Sequence, residues 1–216
     1  MPVTYDTSQG SADNAATSLS WSHTNDAAVS VLYVGIMIDS TGTPNASATY
    51  NSVAMTSIVE RTGNRYLRVF RLISPSTGAH SVVVSWTGSS ASVGESISWV
   101  GSSLSTPNSA PQSSGGTGTT DLITVSSASG EQVVDFLSLN NSTSTDATST
   151  QTSRQRRSNA LNQVMGGCAS AAGAGSVGMQ WDWTSGSLAY NHVAFAVLQP
   201  ASASTWPGYI SPFGWR

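Results

Sequence analysis

Three histidines, eleven carboxylates, eight arginines and one cysteine are the side chains here that could do acid–base, nucleophilic or metal chemistry beyond the abundant hydroxyls. His23, His80 and His192 each fall on the apolar parity of an alternating segment. A metal site or a triad needs two of them to converge, or one to meet a carboxylate. Nothing in their spacing forces either, so packed, hydrogen-bonded strand histidines are the simpler reading. Glycoside hydrolysis needs two carboxyl groups in unequal environments across a cleft. Asp135, inside an apolar run, and Asp182, between Trp181 and Trp183, are the best pair for it. The competing reading is that Asp182 faces water opposite the tryptophans. Gly-x-Ser-x-Gly is absent, and Ser113-Ser-Gly-Gly-Thr-Gly lacks the lysine and following helix of a phosphate loop. Cys168, among glycines and alanines, reads as a small buried residue. The expectation is a non-enzymatic protein with no catalytic residue, metal or cofactor.

Binding residues are easier to nominate. Arg154, Arg156 and Arg157 form the one basic cluster, which suits an acidic neighbour or an anionic sugar, or is simply a solvated loop. Arg65, Arg68 and Arg71 recur within one segment, with Arg68 on the opposite face, as on an exposed or edge strand guarded by charge. Five of the seven tryptophans lie at inward parity and read as core. The other two, Trp206 and Trp215, stand in a C-terminal stretch of different character, Trp206-Pro-Gly-Tyr-Ile-Ser-Pro-Phe-Gly-Trp-Arg.

The elements that must position these residues follow a period of two. Val177, Met179, Trp181 and Trp183 alternate with smaller or polar residues, as do His80, Val82, Val84 and Trp86, and Leu19, Trp21 and His23. Residues 29–38, 133–139 and 188–198 are apolar on both parities and read as central strands covered on both sides. Further strands are expected at 48–54, 55–61, 65–73, 95–101 and 121–126. Turn signals such as Thr43-Pro-Asn, Thr62-Gly-Asn, Thr87-Gly-Ser and Ser185-Gly punctuate them at short spacing, which argues for an all-β sandwich or barrel. No window has a convincing helical period, and no solenoid repeat is visible. Two long connections stand out: 102–118, rich in Ser, Gly and Pro, and 140–167, which carries the arginine cluster. Loops of that length are usually functional or disordered.

Composition narrows the class. Hydrophobic residues make up 38% and charged residues 9%, against about 25% charged in ordinary soluble domains. There is no lysine, and the net charge is −3, so a nucleic-acid partner is not indicated. The longest apolar run, residues 29–38, is too short to span a bilayer. The N-terminus has neither the basic nor the apolar region of a signal peptide. A surface solvated by hydroxyls suits particle-bound β-proteins and crowded assemblies, where highly charged copies would repel one another. The expected organisation is one sandwich domain, 1–200, and an aromatic, proline-containing docking arm, 201–216.

The arm is the strongest functional signal. Four aromatics, Trp206, Tyr209, Phe213 and Trp215, bury about 150–250 Å² each, a gross gain of roughly 15–25 kcal/mol at about 25 cal/mol per Å². Ordering some eleven residues costs about 11–22 kcal/mol. The terms nearly cancel, so the arm is held only where most rings find a prepared groove, either on a neighbour or as a flap on its own domain. Exposed, it would be an adhesive patch that soluble monomers rarely keep.

The order of segments also carries a resemblance. Trp21-Ser-His-Thr, Val31-Leu-Tyr-Val-Gly-Ile, Val53-Ala-Met-Thr and Leu72-Ile-Ser-Pro-Ser-Thr-Gly-Ala-His-Ser-Val-Val-Val-Ser-Trp come first. Ile97-Ser-Trp-Val-Gly, Val133-Val-Asp-Phe and Val193-Ala-Phe-Ala-Val-Leu-Gln-Pro follow. Over about residues 15–200 this plan resembles β-sandwich domains of tailed-phage virion proteins and of bacterial surface proteins. The resemblance implies an antiparallel two-sheet sandwich, jelly-roll-like or immunoglobulin-like, acting as a capsid decoration (cement) protein, head fibre or tail part. It implies the major capsid protein and other copies of the chain as partners, often as a trimer, and a virion location. The alternative is a carbohydrate- or receptor-binding module that takes surface glycans on its loops and exposed aromatics; a glycosidase is a distant third.

Overall fold

Alternating small polar and apolar residues favour extended backbone. In the computed structural model, which describes residues 1–201, the chain forms fifteen strands and, among those residues, no helix. Every strand pairing is antiparallel. The first sheet runs β4 (Val53–Ala54), β3 (Ser47–Tyr50), β7 (Gly78–Val100), β2 (Val29–Ile38), β6 (Tyr66–Ile73), β5 (Thr56–Arg61), with β1 (Thr4–Asn25) along the other edge of β7. The second runs β12 (Thr152–Ser158), β13 (Val164–Ala172), β10 (Gln132–Asn140), β15 (Leu188–Val197), β8 (Gln112–Gly118). A third, small sheet is β11 (Ala147–Ser149), β14 (Val177–Trp183), β9 (Thr120–Val125).

The first and second sheets form the expected sandwich, and the third covers the outer face of the second. This explains the double-sided apolar runs. In β10, Val134 and Phe136 enter the core shared with the first sheet, where Tyr33, Met37, Val93 and Trp99 lie. Val133, Leu137 and Leu139 face the third sheet, against Met179, Trp181 and Trp183. All three segments read as central strands are central. β2 is two-sided for another reason. The first sheet folds over itself, so that Leu19, Trp21, Val82, Val84 and Trp86 close on Leu32, Val34, Ile36 and Phe70.

That folding corrects two expectations. The segments 80–86 and 95–101 belong to one 23-residue strand, and Thr87-Gly-Ser is a bend within it, with Gly88 at φ 85°. β1 bends beside it through register shifts between Asp13 and Ser18. Its first half gave no periodic signal because its serines and small residues are mostly half-exposed at an edge, held by backbone pairing to β7. The stretch 48–54 divides into the β3–β4 hairpin, turned by Asn51 and Ser52 in the left-handed region.

Close contact between the sandwich sheets depends on Gly35. A Cβ built there would collide with the Phe136 ring. Gly35→Ala is therefore expected to cost about 1–3 kcal/mol through overpacking, read as a lower midpoint in urea at unchanged slope.

Candidate functional site

The parity of β9, β14, β10 and β15 sends four polar side chains into one buried layer between the second and third sheets. His192 Nδ1 lies 2.8 Å from Asp121 Oδ2, and its Nε2 lies 3.2 Å from Asp135 Oδ2. Trp181 Nε1 and the Ala169 amide donate to Asp135, each at 2.8 Å. Ser114 and Tyr190 hydroxyls donate to Asp121 at 2.8 and 3.0 Å. His192 and Asp135 are fully buried and Asp121 nearly so. Burial alone would lower the His192 pKa, but the hydrogen bonds and charges of the two carboxylates outweigh it and raise the pKa. Burial would likewise raise that of Asp121, yet hydrogen bonds from His192 and Ser114 pull it below its ordinary value. An imidazolium donating to both carboxylates satisfies the geometry, because only that form carries two N–H groups.

This convergence of a histidine with carboxylates is what spacing alone did not force. The Ser114 hydroxyl is spent on Asp121 rather than aimed at the imidazole, so the arrangement holds strands β9, β15, β10 and β14 together and offers no activated hydroxyl. Asp182 alternates with Trp181 on β14 and lies on the outer side of the third sheet, where Gln180 donates to it. Asp135 and Asp182 therefore occupy opposite faces of that sheet and share no cleft.

His23 is buried elsewhere, its ring nitrogens 2.8 and 3.1 Å from the Ser96 and Ser98 hydroxyls, and burial lowers its pKa to about 4. His80 is half-buried, with Nε2 3.1 Å from the Thr77 carbonyl. No group of three His, Cys, Asp or Glu among the described residues could hold a metal ion.

One buried acid went unread in the sequence. Glu95 stands on β7 in line with Val93, Ile97 and Trp99, fully inside the sandwich, and neither oxygen has a hydrogen-bond partner among the described residues. Burial pushes its pKa up to about 8; the nearby Arg157 charge and Cys168 thiol offset only part of this. Burial and the neighbouring acids Glu95 and Asp135 push the Cys168 thiol well up, which makes it a poor nucleophile. A glutamate flanked at inward parity by Val93, Ile97 and Trp99 was the available signal.

The arginine cluster is not in a loop. Segment 140–167 contains β11, β12 and the start of β13, and Arg154, Arg156 and Arg157 all lie on β12. Arg154 donates to Ser170 and stacks 3.9 Å from the Tyr5 ring centroid; Arg156 donates to the Ala147 carbonyl at 2.6 Å. Both guanidiniums are thus engaged within the fold, and Arg154 helps tie β12 to β1. β6 is likewise an inner strand, between β2 and β5. Its arginines are used internally: Arg68 on Ser57 and Ala46, Arg71 on Asn108. Arg65, just before β6, pairs with Asp39 at 2.8 Å. Trp21, Trp86, Trp99, Trp181 and Trp183 are all buried, as expected. Trp206, Tyr209, Phe213 and Trp215 lie outside the described residues.

Segment 102–118 is also more ordered than its composition suggests. Its end is β8, and backbone bonds strap 103–109 to the end of β15: Ser103 to Leu198, Leu198 to Pro107, Ser109 to Ala196. With the start of β2 and the end of β7 it walls an open, mainly apolar groove of about 730 Å³, lined by Met1, Ala28, Val100, Leu104, Pro200 and Ala201 among others. Ser30 fixes the wall, bonding to the Trp99 carbonyl and accepting from the Ser102 amide.

Comparison with known proteins adds little. No family model matches the chain, and no curated protein matches it. A solved structure described as the PBSX exported protein XepA aligns over 89% of this chain and 86% of that one, at 11% identity and a TM-score of 0.28. Similarity that slight carries no argument.

Proposed function

We propose that this chain is a structural protein of a virion, a capsid decoration protein that binds the major capsid protein and neighbouring copies of itself and catalyses no reaction. One observation carries the reading. The described aromatic core is turned inward, while the remaining cluster of large rings, Trp206 to Trp215, begins five residues beyond Ala201, which lines an open apolar groove. A weakly charged, hydroxyl-rich sandwich with its adhesive residues gathered in one segment suits a subunit that packs at high copy number on a shell. The carbohydrate-binding alternative has less support, since each tryptophan among the described residues is buried and none offers a face for sugar stacking.

The test is incorporation into particles. Virions assembled with the full chain should carry it in regular, saturable copy number on the outer shell, seen by quantitative mass spectrometry and immuno-electron microscopy. Deleting Ala201 to Arg216 should abolish that occupancy while thermal unfolding of the sandwich is unchanged. Equal occupancy without the arm defeats its docking role, and absence of the full chain from virions defeats the reading as a whole.

A further inference from the structure

We infer that the groove beside Leu104 is the receptor for the aromatic segment 206–215 of a second copy of this chain. The inference rests on the assembly reading above and names one of the partners. Five large apolar residues are strongly exposed among the described residues, and two of them, Met1 (92%) and Leu104 (55%), line this one groove. Its walls are preformed. Ser30 bonds to both Trp99 and Ser102, and the strap onto Leu198 fixes the segment bearing Leu104, so a ligand finds it without reorganisation. Fifteen residues, 202–216, continue the chain from its rim, and four of them are aromatic.

The groove's volume and the chain's exit point together favour another copy. About 730 Å³ is the size that encloses one drug-sized ligand, which is room for some of the rings but not for four with their backbone. Pro200 and Ala201 already occupy one wall, and residues 202–206, Ser-Ala-Ser-Thr-Trp, contain no glycine or proline, so the first turn signal, Pro207-Gly208, comes only after the first ring. Extended, those five residues carry the first ring roughly 17 Å from the rim. Because each groove adjoins the root of its own arm, two copies can exchange arms about a twofold axis, each groove taking the other's rings, a self-complementary arrangement that closes. The rings left over remain available to the shell.

The experiment uses the purified full chain with light scattering and sedimentation velocity. The full chain should be a concentration-dependent oligomer. Leu104→Asp, a change at an exposed position that should leave the melting curve unmoved, and a chain ending at Ala201 should each be monomeric. Mixing those two should restore a one-to-one complex, because one retains the arm and the other the groove. A fluorescent peptide of residues 202–216 should bind the chain ending at Ala201 and lose at least tenfold in affinity on the Leu104→Asp background. A monomeric full chain, or an oligomer indifferent to Leu104→Asp, overturns the inference. Either result leaves incorporation into virions to stand or fall on its own, since that is read on particles.

Discussion

Glu95→Gln should raise the melting temperature by about 10 °C at pH 9 and leave it level or slightly lower at pH 4.5. Glu95 is fully buried without a hydrogen-bond partner among the described residues, and its pKa is pushed from 4.5 to about 8. The unfolded chain releases this proton near 4.5 while the folded chain keeps it until about 8. The raised pKa therefore favours folding fully below 4.5, and that advantage is lost progressively as pH rises through the folded value. The interval, at about 1.36 kcal/mol per pH unit, amounts to about 5 kcal/mol. A domain of this size shifts by about 2–4 °C per kcal/mol, and the amide keeps the shape but carries no charge to desolvate, although its own unpaired donors take back part of the gain. Scanning calorimetry of both proteins from pH 4.5 to 9 checks it. Melting curves displaced equally at every pH would mean that Glu95 does not titrate in that range.

Two histidines add to the profile above pH 4, while Asp121, held below its ordinary value, favours folding above that value and loses its contribution as pH falls through its folded one. His23, lowered to about 4, favours folding above its ordinary 6.5, and that contribution is lost as pH falls toward 4. His192, raised by Asp121 and Asp135, favours folding below 6.5 and loses its contribution as pH rises through its folded value. Between 4.5 and 6.5 His23 and Glu95 oppose one another. Above 6.5 His23 is silent, while Glu95 and His192 both weaken the fold, so the parent protein should lose stability as pH rises above 6.5.

How much of this was legible follows from what kind of information each feature carries. The central strands β2, β10 and β15 were legible because burial on two faces leaves a two-parity apolar run, a local signal. The order of the sheets was not, because Phe136 meets Gly35 through a contact a hundred residues apart in the chain. The first half of β1 was invisible, since an edge strand paired through its backbone needs no apolar side chains. The arginines on β12 misled in the other direction: Arg154 and Arg156 bond to Ser170 and Ala147, and a basic side chain used inside a fold looks in sequence like one left in solvent. Asp121, His192 and Asp135 sit on three strands, so their meeting is a product of strand order, which no spacing along the chain encodes.

That meeting separates the two carboxylates that were the best available catalytic pair in the sequence, Asp135 and Asp182. Asp135→Ala should destabilise the protein by about 3–5 kcal/mol, the usual consequence of removing one partner from a buried charged group. It deprives His192 Nε2, Trp181 Nε1 and the Ala169 amide of their common acceptor inside a layer that water does not reach. Asp182→Ala, on the outer side of the third sheet, should stay within about 0.5 kcal/mol of the parent. Asp135→Asn provides the control for shape. Its amide oxygen can still accept from Trp181 or Ala169, but one of the two carboxylates that raise the His192 pKa is lost, so the alkaline loss of stability should begin at lower pH than in the parent. Denaturant unfolding of the three variants at pH 6 and pH 8 distinguishes the cases. Equal small effects at both aspartates would mean that the Asp121–His192–Asp135 layer contributes little to the fold, and the strands it joins would then owe their order to apolar packing by Leu137, Met179 and Trp183 alone.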